Sequence, residues 1–519
     1  MSITRRDLLR QVGGLAAWAA LPVGCGDTAA ESVAQSSALG AGGALAFLHG
    51  VASGDPLPDA VILWTRVTPR DAASVIELQW EVATDLAFQE IVARGSSSTS
   101  SERDFTAKVD ADGLAAGTLY YYRFLAGDVS SPVGRTRTAP SGKVERLRFG
   151  VASCSSYAHG YFHAYRSLSE RLDLDAVIHL GDYIYEYGSG EYGKVRAYEP
   201  AHEIVTLQDY RTRYAQYRRD PDLQALHQQL PMIAVWDDHE VSNDSWTDGA
   251  QNHISAREGA FRDRLHAASQ AHAEWMPTRE QPHRGAYRSF SFGDLVDLIM
   301  LDTRNAGRAQ QLDRRDDPAL DDPERTLLGL DEEAWLGAQL RESRAHWRLL
   351  GQQVMVSPFA LGKNLDSWEG YPAARQRLLQ QLTAAAGDSV ILTGDVHSSW
   401  AMDVLDDAGE QSLAVELVTP GISSPLLSRA EAEARDAAVM AQPHVRYAQL
   451  WKRGYMVVDV DRERVQAAWF HYESVEQPER VEPVFGAAAA AISGERRLRM
   501  EPAPAPAAVS PGTAAPRLS

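Results

Sequence analysis

Hydrophobic positions follow two patterns along this chain, and the change falls near residue 146. Between residues 46 and 138, short runs alternate in polarity, as in Val61-Ile62-Leu63-Trp64-Thr65-Arg66-Val67 and Ile76-Glu77-Leu78-Gln79-Trp80-Glu81-Val82. Period-two alternation is the mark of half-buried strands, so this stretch predicts a small β-sandwich, closed by Pro140-Ser141-Gly142. From residue 146 to 484 apolar strands alternate with helical segments. Strands are predicted at Leu147 to Ala152, Ala176 to Leu180, Met232 to Val235, Val296 to Leu301 and Val390 to Thr393, with a helix over Tyr161 to Arg171. Tyr455 to Val460 and Val465 to Phe470 read as a strand pair closing the sheet. The segment 485–519, an Ala run followed by Pro-Ala repeats, is expected to be disordered.

Within the first region, Leu119-Tyr120-Tyr121-Tyr122-Arg123-Phe124 follows a turn at Gly117 and resembles the tyrosine-corner strand of fibronectin-like sandwiches. The N-terminus reads Thr4-Arg5-Arg6-Asp7-Leu8-Leu9-Arg10 and then a modest apolar stretch from Val12 to Val23, a twin-arginine export signal over residues 1–25. Leu21-Pro22-Val23-Gly24-Cys25 also resembles a lipoprotein processing site, which would anchor Cys25 to lipid. Residues 26–45, rich in Ala, Ser and Gly, read as a flexible spacer. No run approaches roughly 18 uninterrupted apolar residues, so no transmembrane segment is expected. The expected location is periplasmic or extracellular.

The chain has 519 residues and a formal net charge of −19, which suits neither a nucleic-acid groove nor an anionic membrane surface. Acidic excess fits a cation binder, although solubility alone also favours it. Of the two cysteines, Cys25 belongs to the export signal, which leaves Cys154 without an internal disulfide partner. In an exported protein that thiol is either buried and inert or holds a metal.

The strand that ends at Cys154 is not alone in ending on a potential ligand. Ala176-Val177-Ile178-His179-Leu180 runs into Gly181-Asp182-Tyr183-Ile184-Tyr185-Glu186, and Met232 to Trp236 runs into Asp237-Asp238-His239-Glu240-Val241-Ser242-Asn243-Asp244. Val390 to Thr393 delivers Gly394-Asp395-Val396-His397. Each segment alone is a weak signal, since Gly-Asp turns are common and Asp237-Asp238 suits a helix cap. Four together are stronger, because strand ends on one sheet edge converge. There is neither a Gly-x-Ser-x-Gly elbow nor a P-loop.

These segments, with Val51-Ala52-Ser53-Gly54-Asp55-Pro56, Leu63-Trp64-Thr65-Arg66, Leu301-Asp302-Thr303-Arg304 and Gly351-Gln352-Gln353, occur in order and resemble the alkaline phosphatase D (PhoD-type) family over residues 46 to 480. The resemblance implies a metallophosphoesterase α/β/β/α sandwich over 146–484 behind the N-terminal sandwich. It implies Fe3+ held by Cys154, Asp182, Tyr185 and His397. It also implies Ca2+ held by Asp182 as a bridge, Asp395, and either Asp238 or Asn243. Thiolate, phenolate and carboxylate donors suit a highly charged ion independently of the resemblance. His239 is expected either to assist the leaving group or phosphate oxygen, or to act structurally. Arg304 is expected either to grip substrate phosphate or to pair with Asp302. The implied reaction is hydrolysis of phosphate mono- or diesters by a metal-bound hydroxide. A phospholipase D-like specificity and, from another class, a non-catalytic calcium-binding surface protein are the alternatives. Expected partners are the ester substrate and the twin-arginine machinery, with the chain acting as a monomer.

Overall fold

The computed structural model describes residues 45–69, 75–280, 286–509 and 512–517. The export signal, Cys25 and all but the end of the spacer lie outside the described residues.

Strands that are apolar on both faces must be covered on both, and the strand Ala176–His179, buried at every position, sits at the centre of such an arrangement. It lies between Arg146–Ala152 and Met232–Ala234, parallel to both. These three form the middle of a ten-stranded sheet. On one side follow Arg453–Asp461, Arg464–Tyr472, Val484–Ile492 and Leu498–Glu501; on the other, Val51–Gly54, Val61–Arg66 and Thr106–Ala111. A second, seven-stranded sheet has the order Arg288–Phe292, Val296–Met300, Trp347–Gln352, Asp388–Thr393, Ser412–Val418, Ser399–Leu405, Val445–Gln449. The two sheets face each other through a core that includes Phe149, Val151, Ile178, Leu298, Leu349, Leu392 and Trp469.

Helices cover the outer faces. Leu207–Tyr217 begins at a capping box between Thr206 and Asp209 and turns Tyr210, Tyr214 and Tyr217 onto the ten-stranded sheet at helical spacing. Pro221–Gln229 starts with proline at its first turn and Asp220 as cap, and Phe261–Trp275 completes that layer. Leu330–Glu342 and Pro372–Ala384 cover the seven-stranded sheet. The result is α/β/β/α. The helix expected over Tyr161 to Arg171 is shorter, His163–Ser169.

In the N-terminal region, strand Ile76–Ala83 joins Ile91–Thr99, Leu119–Ala126, Val129–Ser130 and Gly134–Arg137 in a five-stranded sheet. It packs on Val51–Gly54, Val61–Arg66 and Thr106–Ala111 through Leu63, Leu78, Val82, Tyr122 and Phe124. The Tyr120 hydroxyl accepts a hydrogen bond from the Ala115 N–H at 2.9 Å, a tyrosine corner. One layer of this sandwich is therefore the edge of the catalytic sheet itself, joined where Gly54 pairs with Met232.

The C-terminal segment overturns an expectation. The described residues from 485 are ordered: Val484–Ile492 pairs antiparallel with Arg464–Tyr472, and Leu498–Glu501 adds the outermost strand. Ala488 to Ala491 are buried. An alanine run has no alternation to read, because positions on both faces are small, yet the facing sheet closes over it. Beyond it, Gln466 Nε2 donates to the Ala503 carbonyl, Tyr121 to the Thr513 carbonyl and Gln229 Nε2 to the Ala515 carbonyl. Ala489→Glu should place a carboxylate in the inter-sheet core and destabilise the protein by at least about 2 kcal/mol. Thermal denaturation measures this, and an unchanged transition would contradict a docked strand.

Candidate active site

Strands from both sheets end at one edge, where they are stitched together. Leu180 N–H donates to the Ala152 carbonyl, Val235 N–H to the His179 carbonyl, and Ile422 N–H to the Ser153 carbonyl at 2.9 Å, the last joining the two sheets. At each end the chain must reverse within one residue. Cys154, Asp182, Asp395 and His397 all adopt left-handed backbone, with φ of 60°, 56°, 61° and 55°. For residues with a Cβ this costs about 1–2 kcal/mol each, and such strain persists where surrounding structure enforces it. Gly181 precedes Asp182 at φ 100°, and a Cβ there would lie 2.5 Å from the Asp237 Cβ and backbone nitrogen. Only glycine lets these two ligand-bearing turns approach so closely.

The reversals bring potential donors together as a chain. Cys154, Asp182 and His397 form one group, Asp182, Asp238 and His239 a second, and Asp237, Asp238 and Asp395 a third, with donor atoms within 4.8 Å inside each group. All are buried. The Tyr185 hydroxyl donates to Asp182 Oδ2 at 2.8 Å, accepts from Ser424 Oγ at 2.7 Å and lies 3.2 Å from His397 Nε2. His397 Nδ1 lies 3.0 Å from the Pro425 carbonyl; donation there leaves the Nε2 lone pair facing the cluster. Burial, then Asp182, pushes the Cys154 thiol well above its ordinary range. Donors of this kind, crowded and buried, fit a cation that stabilises their ionised forms.

Residues not singled out by the sequence brace the site. Glu240 Oε2 accepts from the Asp182 and Asp237 amides at 3.0 and 2.9 Å, and Oε1 from Tyr183 N–H at 2.7 Å, so one carboxylate ties two turns. Burial, then Asp182, raises it to about 8. Glu186 holds His239 Nδ1 at 2.7 Å and the Asn243 amide at 2.8 Å. Burial opposes protonation of His239, but Glu186, Asp238 and Asp182 outweigh it and raise the imidazole to about 10. Its ring stacks on Tyr185 at 4.2 Å.

One sequence expectation changes. Arg304 neither reaches for substrate nor pairs its side chain with Asp302, whose Oδ1 instead accepts the Arg304 and Asn305 amides. The Arg304 guanidinium is fully buried, donating from Nε to Asp237, from Nη1 to both Asp366 oxygens at 2.8 Å, and from Nη2 to Asp395 at 3.1 Å. Crowded carboxylates draw its fork inward. Of the two alternatives for calcium, Asn243 joins Tyr187 and Gln251 through its side-chain amide, at 3.2 and 2.8 Å, and Asp238 stands in two of the donor groups. Glu240 and Asp237 flank quoted ligands and were within reach of sequence reasoning. Asp366 lies in a loop with no signal.

A cleft of about 210 Å³ opens beside the cluster, with Asp395, His397 and Asp366 among its lining. Trp246, Phe359, Leu361 and Leu426 give it an apolar wall.

Both regions of the chain resemble known proteins. Residues 149–469 match the PhoD-like phosphatase family, and residues 33–140 match the PhoD-like phosphatase N-terminal domain. The chain is 39% identical over 440 residues to alkaline phosphatase D of Bacillus subtilis (strain 168), spanning 79% of this chain and 75% of that protein. The solved structure of PhoD superposes with a TM-score of 0.81 at 36% identity, covering 88% of this chain and 92% of that one. Matched in sequence and in fold over most of its length, this chain belongs to the PhoD-like phosphatase family and is a metal-dependent phosphoric ester hydrolase.

Proposed function

We propose that the protein is an exported phosphatase and phosphodiesterase whose site takes iron and calcium. The observation that carries the metal assignment is the placement of the Cys154 thiol and the Tyr185 phenol beside Asp182 and His397. Calcium takes hard oxygens and has no use for sulfur, whereas a ferric ion is well served by anionic thiolate, phenolate and carboxylate donors. Cys154, Asp182, Tyr185 and His397 would hold iron. Asp182, Asp238 and Asp395 would hold calcium, with Asn243 supporting the loop rather than ligating. When bound, such cations neutralise phosphoryl charge and supply a nucleophile from water at neutral pH.

The chain's own residues have defined tasks around them. His239, fixed at Nδ1 by Glu186, would turn Nε2 toward a phosphoryl or leaving-group oxygen. Arg304 is a positioning residue that fixes Asp237 and Asp395. Glu240 sets the angle between the Asp182 and Asp237 turns. Export rests on the Arg5-Arg6 signal; no helix among the described residues is long and apolar enough to cross a membrane.

Elemental analysis of active protein should find iron and calcium, with a visible absorption band from the Tyr185 phenolate that disappears in Tyr185→Phe. Full activity without iron would refute the iron assignment. Asp182→Asn should lower kcat by roughly a thousandfold while circular dichroism stays native; undiminished turnover would remove Asp182 from the site. Bis-p-nitrophenyl phosphate and p-nitrophenyl phosphate should both be hydrolysed, and failure on the first alone would exclude the diesterase half of the proposal.

A further inference from the structure

The cleft holds more apolar surface than phosphate recognition requires. A phosphoryl group is bound by charge and hydrogen bonds, yet beside Asp395 and His397 stand Trp246, Phe359, Leu361 and Leu426. Each is only partly buried, so each keeps apolar surface against water unless an organic group covers it.

Trp246 is held in place rather than loosely exposed. Its backbone N–H donates to the Gly249 carbonyl at 2.8 Å, and the Gly249 N–H returns a bond to the Trp246 carbonyl at 3.2 Å. A Cβ on Gly249 would lie 2.3 Å from the indole Cζ2, so the indole lies flat over a position that only glycine leaves open. Across the cleft, Phe359 is braced edge-on against Trp400 at 5.7 Å. The wall is thus preformed, and it rides on loops after strands Met232–Ala234, Trp347–Gln352 and Ser412–Val418, the first of which carries Asp237, Asp238 and His239. Arg304 and Arg308 both bind Asp366, which ties the loop that bears Leu361 to Asp395.

Charge at the mouth is mixed. Arg315, Lys363 and Arg435 line the cleft together with Asp244, Asp313, Asp366 and Asp395. Arg304 engages Asp366 and Asp395, and Arg308 engages Asp366. The basic side chains at the rim offer contacts to an anionic phosphoryl group, with its organic substituent left to meet the apolar wall.

Resting on the phosphoesterase reading above, we propose that Trp246 is a specificity-determining residue. The site selects esters by a planar aromatic substituent stacked on its indole, with Phe359, Leu361 and Leu426 completing the pocket. A volume of about 210 Å³ holds one ring beside a phosphoryl group.

The test uses full-length, metal-replete enzyme and two competitors whose carbon–phosphorus bond is not hydrolysed. Phenylphosphonate should inhibit p-nitrophenyl phosphate hydrolysis about tenfold more tightly than methylphosphonate, the scale of one aromatic contact. In Trp246→Ala that ratio of inhibition constants should fall to near one, and Trp246→Phe should restore most of it. A purely structural role would shift both constants together and leave the ratio intact. Equal inhibition by the two phosphonates in the unmodified enzyme, or an undiminished ratio in Trp246→Ala, would overturn the proposal while hydrolysis of p-nitrophenyl phosphate leaves the phosphoesterase reading standing. Absence of any ester hydrolysis would instead sink that reading, and this inference with it.

Discussion

Buried negative charge, gathered at the ends of parallel strands, is the constraint on which this structure turns. Asp182, Asp237, Asp238, Asp395, Glu186 and Glu240 are all removed from solvent within one neighbourhood. Uncompensated, each buried carboxylate costs several kcal/mol. The chain offsets part of this internally. Arg304 shares its guanidinium among Asp237, Asp366 and Asp395, and His239 Nδ1 is held by Glu186. Burial and Asp182 push Glu240 upward, and three backbone amides hold its carboxyl group in place. What remains, at Asp182 and Asp238 with the Cys154 thiol and the Tyr185 hydroxyl beside them, is a donor set shaped for cations. Function follows from that set.

Holding such a surface together requires rigidity from elsewhere. Two stacked sheets, with a core running from Phe149 to Trp469, supply it. That framework tolerates the four left-handed residues at the strand ends and the near-contact of Gly181 with Asp237. It also explains why the N-terminal sandwich is not a detachable appendage. Its Val51–Gly54 layer continues the sheet that bears the ligands, and the C-terminal strands close the opposite flank. Catalytic geometry is thus a property of the whole sheet, edge to edge.

The parts legible in the sequence were those written locally. Alternation at Ile76–Ala83 announced a half-buried strand, and the observed burial alternates along its first half. Strand-end ligand types at Cys154, Asp182, Asp238, Asp395 and His397 announced a shared edge, because an apolar strand followed by Gly-Asp is itself a short-range signal. What was hidden depends on distant neighbours. Arg304 offered two plausible partners nearby, but Asp366, more than sixty residues on, took its Nη1 donors. The partners of the Asn243 side chain, Tyr187 and Gln251, were likewise not readable from its own segment. The Ala488–Ala491 run looked disordered because small residues fit either a solvated chain or a tightly packed strand, and only the facing sheet decides between them.

Sulfur is the feature that separates this centre from an oxygen-only cation site, and Cys154 is placed for it, buried, with Asp182 and His397 beside it. X-ray absorption at the iron edge of the active enzyme therefore addresses the central claim most directly. The account predicts one sulfur scatterer among oxygen and nitrogen ligands, lost when Cys154 is replaced by serine. An iron shell without sulfur in fully active protein would contradict it.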